Sequence, residues 1–165
     1  MTIAPTLTAP AAPSGSTLHN ILAPDTRVKV SSGTSKDGKS ILDASSETCW
    51  TSDNLPPNSD PSTSLHSISF KLSTSISLSK LHSLSLTFAG GFSPMSFDVL
   101  ASQDGKNWSA AVPEELFPMD ANAKQYFLID SLEDTQEVQW LRLQLKGSTD
   151  DYGRVIVYQV QLFAH

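Results

Sequence analysis

Two stretches of this chain alternate apolar and polar residues one at a time. Ile68, Phe70 and Leu72 stand against Ser67, Ser69 and Lys71, and Leu84, Leu86 and Phe88 stand against Ser83, Ser85 and Thr87. A period of two places the two sets on opposite sides of an extended backbone, so each stretch reads as a half-buried strand with one apolar and one wet face. Further strands are expected at Arg27 to Ser31, Phe97 to Ala101, Lys124 to Ile129, Val138 to Leu145 and Val155 to Phe163. Turn signals separate them at Ser32-Gly33, Lys36-Asp37-Gly38-Lys39, Gly90-Gly91 and Gln103-Asp104-Gly105-Lys106. Ile41 to Asp43 reads as a short helical or irregular turn feeding a buried strand start at Trp50. Short strands with almost no helical periodicity between them bury their apolar faces by stacking sheet on sheet, which predicts an all-β antiparallel sandwich.

A chain of 165 residues has room for one such domain. Residues 1–16 carry Pro5, Pro10 and Pro13 without apolar periodicity, and read as a flexible tail unable to join a ladder, with the folded unit at 17–165. A net charge of -6 argues against nucleic acid, whose backbone is gripped by clustered Lys and Arg. No apolar run reaches the roughly 18 to 20 residues of a membrane span. Cys49 is the single cysteine, which excludes an internal disulfide; it reads as a small buried residue beside Trp50. The N-terminus lacks a basic start and a compact apolar block, so it is not read as a secretory signal, and the cytoplasm or nucleus is expected.

Catalytic chemistry is not marked. His19, His66, His82 and His165 have no metal-ligand spacing, and the two within strands are expected on solvated, serine-bearing faces. No Gly-x-Ser-x-Gly turn is present. The neighbouring carboxylates Asp150-Asp151 and Glu114-Glu115 point to opposite sides of an extended chain and read as polar turns. Trp50, Trp108 and Trp140 are expected in the core. The expected binding rim joins three loops: the Pro-rich run from Asn54, the segment Gly90 to Met95, and Asp150 to Arg154, where a polar, Gly-containing stretch enters the last strand. The candidate contact residues are Asn54, Phe92, Met95, Asp150, Tyr152 and Arg154. For a protein partner, Phe92 and Met95 supply apolar surface. For a sugar, the Tyr152 ring stacks while Arg154 with Asp150 or Asn54 hydrogen-bonds hydroxyls. A hydrolase with an unmarked site is the third, least favoured reading.

Three blocks carry a family pattern: Leu42-Asp43 followed by Glu47-Thr48-Cys49-Trp50-Thr51-Ser52-Asp53, Phe97-Asp98-Val99 with Ser102-Gln103-Asp104-Gly105-Lys106-Asn107-Trp108, and Trp140-Leu141-Arg142-Leu143. In their order and spacing the chain resembles the discoidin or coagulation factor 5/8 type C domain, the galactose-binding-like jelly roll, over about residues 18–165. The resemblance implies a non-enzymatic recognition module whose loops at one end of the sandwich contact glycan, lipid or protein. It also implies inward packing for Trp50 and Trp108. Some relatives in that family hold a structural calcium through an acidic turn matching Asp43 to Thr48, completed by a glutamate on the last strand. Here that position falls on Gln159 or Gln161, and losing a hard anionic ligand makes calcium, the one cofactor the resemblance suggests, a weak expectation.

Overall fold

A computed structural model describes residues 2–43, 45–56, 60, 65–129 and 135–165. Its strands are β1 (Thr2–Ile3), β2 (His19–Asn20), β3 (Arg27–Val30), β4 (Trp50–Thr51), β5 (Leu65–Ser77), β6 (Leu81–Phe88), β7 (Ser96–Ser102), β8 (Ser109–Ala110), β9 (Glu115–Leu116), β10 (Lys124–Leu128), β11 (Glu137–Lys146) and β12 (Ile156–Ala164). The larger sheet runs β1-β9-β7-β11-β5-β3 with β8 also on β7, and the smaller runs β10-β6-β12-β2 with β4 also on β12. Among the described strands, every pairing is antiparallel except β1 with β9. The expected all-β jelly-roll sandwich is the architecture observed.

The period-two pattern explains the core. Ile68, Phe70, Leu72, Phe97, Val99, Leu141 and Leu143 project inward from the larger sheet and meet Leu84, Leu86, Phe88, Phe127, Val157, Val160 and Leu162 from the smaller, all buried. The Phe97 and Phe127 rings cross edge to face with centroids 5.2 Å apart, joining the two layers.

Several expectations need correction. The proline-containing start does ladder: Thr2 and Ile3 pair with Glu115 and Leu116 of the larger sheet. Thr6 exchanges two 2.8 Å backbone hydrogen bonds with Tyr126 of the smaller sheet. The prolines occupy none of the pairing positions, so the N–H groups the ladder needs remain. Beyond Thr6 the chain crosses the outer face of the smaller sheet, where Ala9, Pro10 and Leu18 line a hollow with Ser83, Tyr126 and Phe163, before β2 pairs with the far side of β12. The outer face of β6 is therefore not wet: Ser83 and Ser85 are buried, and the Ser85 hydroxyl donates to Gln161 Oε1 at 2.9 Å.

His66 and His82 are buried rather than solvated; both share the parity of the apolar positions of their strands. Trp50 is fully buried, but Trp108 and Trp140 are only half-buried on the outside of the larger sheet, and Cys49 is half-buried. The expected turn at Lys36 to Lys39 is a short helix, α1 (Ser35–Lys39), whose N-terminus is capped by Thr34 Oγ1 accepting from the Asp37 N–H at 3.1 Å. A 3₁₀ turn follows at Ser40–Leu42, as the sequence reading of that stretch anticipates.

Candidate functional site

Three connections converge at one end of the sandwich: the segment after β4, the β6–β7 loop and the β11–β12 loop. Backbone hydrogen bonds stitch them together, with Leu55 N–H donating to Tyr152 O at 2.9 Å, Thr149 N–H to Ser93 O at 2.8 Å and Ile156 N–H to Phe92 O at 3.0 Å. Asp120 adds a side-chain clamp. One of its carboxylate oxygens accepts from the Gly91 N–H at 2.8 Å, the Ser93 hydroxyl at 2.9 Å and the Thr149 hydroxyl at 3.3 Å. The Gly91 N–H, helped by these hydroxyls, holds the Asp120 carboxyl below the usual carboxylate range.

Arg154 organises the tip. Its Nε donates to Asp150 Oδ2 at 3.0 Å and its backbone N–H to the same oxygen at 3.1 Å. The Arg154 side chain holds the Asp150 carboxyl down, and Asp150 in turn raises the guanidinium. The guanidinium lies 5.2 Å from the Phe92 ring centroid and 5.7 Å from that of Tyr152, so one cation bridges two aromatic faces from different loops. Ser148 closes the turn by donating to Arg154 O and accepting from Asp150 N–H. Tyr152 remains 65% exposed and Met95 54% exposed.

Of the sequence-derived candidates, the structure brings Phe92, Asp150, Tyr152 and Arg154 into one cluster. Met95 shares the Phe92 loop and is fixed by its N–H donating to Lys146 O at 2.9 Å. Asn54 is exposed beside Leu55 and, among the described residues, makes no hydrogen bond to Asp150 or Arg154. Residues 57–59 of the expected Asn54-to-Asp60 rim, and Pro61, lie outside the described residues.

The sequence reading missed the post behind this tip. Buried His66 places Nε2 2.8 Å from Gly153 O and 3.1 Å from Ser52 Oγ. Ser52 Oγ also accepts from Val155 N–H at 2.8 Å and donates to Asp53 O at 3.1 Å. A carbonyl only accepts, so Nε2 carries the proton and donates to both. A serine and histidine at this spacing suggest hydrolysis, yet a protonated Nε2 is no base, and the Ser52 hydroxyl is buried and engaged with a backbone carbonyl. The pair is a brace for the β11–β12 loop. The shared parity of His66 with Ile68 and Phe70 is the signal that would have placed it indoors.

The calcium expectation is decided by the donors. Asp37, Asp43, Glu47 and Thr48 line a hollow together with Lys36 and Lys39, and no three His, Cys, Asp or Glu side chains converge on one point among the described residues. Thr48 Oγ1 is buried without a hydrogen-bond partner, an oxygen such a site would use. On the last strand, Gln161 is committed to Ser85, while Gln159 lines a neighbouring hollow with Ser45 and Ser46 and brings no charge. Carboxylates that do not converge, two ammonium groups among them and no anionic ligand from the last strand do not fit a dication.

No family model matches the chain. Curated relatives do: the mouse nuclear receptor 2C2-associated protein is 31% identical over 149 residues, covering 87% of this chain and 94% of its own. The Xenopus laevis protein of that name is 31% identical over 149 residues with 87% and 96% covered, and the human one 29% with 87% and 95%. Among solved structures, chitosan-binding module 1 from a chitosanase/glucanase of Paenibacillus sp. IK-5 superposes with a TM-score of 0.65 at 17% identity, over 87% of this chain and 98% of that one. The family 32 carbohydrate-binding module of Clostridium perfringens NanJ, solved with galactose, gives 0.65 at 12% identity over 89% and 99%. These structural likenesses confirm the galactose-binding-like sandwich.

Proposed function

Because the chain belongs to the nuclear receptor 2C2-associated protein family, we propose that it is a non-enzymatic binding module that grips a protein partner with the loop-bearing end of its sandwich. The observation that supports this reading most is the tip itself. A clamped set of three loops displays Tyr152 and Met95, both more than half exposed, beside a guanidinium held ready by Asp150. Rigid aromatic and Arg anchors on a pre-ordered surface are what hot spots are made of. The relatives are named for association with nuclear receptor 2C2, so on this reading the chain works in the cytoplasm or nucleus as a transcription-related adaptor. No helix among the described residues is long and apolar enough to cross a membrane.

The test is binding of purified chain to nuclear receptor 2C2 from the same source. Tyr152→Ala and Arg154→Ala are expected to weaken capture at least about tenfold, the loss of one hot-spot residue. Tyr152→Ala leaves the melting temperature unchanged, since its side chain is mostly solvent-exposed. Equal recovery of wild type and both variants would place the partner surface elsewhere.

A second reading rests on one observation. The exposed Tyr152 ring offers a stacking face at the loop end of a fold that, in the NanJ module, was solved with galactose. Asp150 is already committed to Arg154, so hydroxyl recognition on this reading falls to the guanidinium and to Asn54. Saturable binding in a galactose titration, lost in Tyr152→Ala, supports the lectin-like reading; a flat titration at high protein concentration removes it.

A further inference from the structure

The outer face of the larger sheet, well away from the loop tip, carries a second surface. The strand registers lay it out as a grid. One row runs Ser102, Trp140, Lys71, Arg27 across β7, β11, β5 and β3, and the next runs Leu100, Arg142, Ser69, Lys29. Laterally paired residues share a face with Cβ atoms about 5 Å apart, and successive rows lie about 7 Å apart. Lys71 thus stands directly opposite Arg27, and Arg142 and Lys29 flank Ser69 from the two neighbouring strands.

These cations lack the compensation seen lower on the same face, where Lys146 Nζ sits 2.8 Å from both Asp98 and Glu115. Among the described residues no carboxylate lies within ion-pairing distance of Arg27, Lys29, Lys71 or Arg142. Arg142 instead donates from Nε to Ser69 Oγ at 2.8 Å and stacks 4.0 Å from the Trp108 ring centroid. Lys71 Nζ lies 5.7 Å from the Trp140 ring centroid, and the two indoles meet edge to face at 6.3 Å. Like charges directly opposite across strands destabilise a sheet. A chain of net charge -6 that gathers four cations into two adjacent rows, with indole rings and a serine hydroxyl beside two of them but no carboxylate beside any, leaves their charge uncompensated, the pattern expected of a functional surface.

From this charge complementarity we infer that the Trp108/Trp140-flanked outer face of β11, β5 and β3 docks an extended acidic peptide, with carboxylates two residues apart meeting the Arg27–Lys71 and Lys29–Arg142 rows. The repeat of an extended chain, about 7 Å for two residues, matches the row spacing. A phosphate polymer suits the face less, because the acidic remainder of the molecule repels a long polyanion.

The test uses the full chain and fluorescence anisotropy with three labelled probes: a peptide alternating Glu and Ser, its Lys counterpart, and oligo-dT. Saturable binding of the Glu peptide, weakened by salt and absent for the Lys peptide, is expected. Arg27→Glu is the decisive variant. It places opposite charges across from each other, so it should raise the melting temperature by about 1–3 °C while lowering peptide affinity at least about tenfold. Tyr152→Ala should leave peptide affinity intact, which separates this surface from the loop tip. No saturable binding, affinity unchanged by Arg27→Glu, or tighter binding of oligo-dT would overturn the inference.

Discussion

Gly153 shows how little room the tip has. Its φ is +78°, and an added Cβ would lie 2.6 Å from Leu55 Cβ, so any side chain is penalised both by backbone conformation and by contact. Gly153→Ala is expected to cost about 1–3 kcal/mol, measured as a lower urea midpoint at unchanged m-value. A substitution without measurable effect would mean that the β11–β12 loop is not braced as described. His66, whose Nε2 donates to Gly153 O, was legible only in part. Its parity with Ile68 places it inside, but its acceptor lies 87 positions away, and no local pattern reports a contact at that separation. Tyr152 and Arg154 were found because they sit in a polar, glycine-containing loop next to an apolar strand, a local signal. Their link through Asp150 is also local, at a spacing of four residues. The contact of Arg154 with Phe92 is not, and needed the fold.

At the scale of elements, the β6–β7 and β11–β12 loops are held together through the Asp120 carboxylate. Its ionised form is favoured in the folded chain, chiefly by the Gly91 N–H, so its pKa is depressed relative to the unfolded chain. The stabilisation is therefore present above the unfolded value of about 4 and is lost as pH falls through the lower folded value. Asp120→Asn should lower stability at neutral pH by about 1 kcal/mol, a modest figure because the group is exposed. The loss should shrink toward zero in acid, as chemical denaturation at pH 7 and below pH 3 would show; a pH-independent loss would contradict the clamp. The long strands β5, β6, β7, β10, β11 and β12 were readable because alternation over several residues has a period. The pairs Thr2–Ile3, His19–Asn20, Ser109–Ala110 and Glu115–Leu116 are too short to have one and exist only through the partner strand they join. Asp37-Gly38 is a turn dipeptide and hides helix α1 in the sequence, where the N-cap from Thr34 favours helix instead.

For the molecule as a whole, the donor chemistry near Asp43 predicts indifference to calcium. A dication bound at a hundredfold excess over its Kd would add about 2.7 kcal/mol, roughly 5–10 °C in a domain of this size. Excess calcium and excess EDTA should instead give melting temperatures within about 1 °C, and a larger calcium-dependent rise would restore the metal site. The all-β class followed from alternation, since one-sided strands bury their apolar faces only against other sheet surface, and the family resemblance pointed to a jelly-roll sandwich rather than a closed barrel. The course of the first residues followed from neither, because prolines mask a segment that pairs at only a few positions.

The last strand, β12, lies between β6 and β2 and also carries β4. Its residues reach back to partners as distant as His19, Thr51 and Leu84. Chains are made from the N-terminus onward, so while this protein is being translated its smaller layer has an empty central berth until the closing stretch clears the ribosome exit tunnel. A nascent chain stalled ahead of Ile156 would expose the apolar rows of Leu84 and Leu86 to solvent, and would be a natural client for chaperones that bind emerging polypeptides.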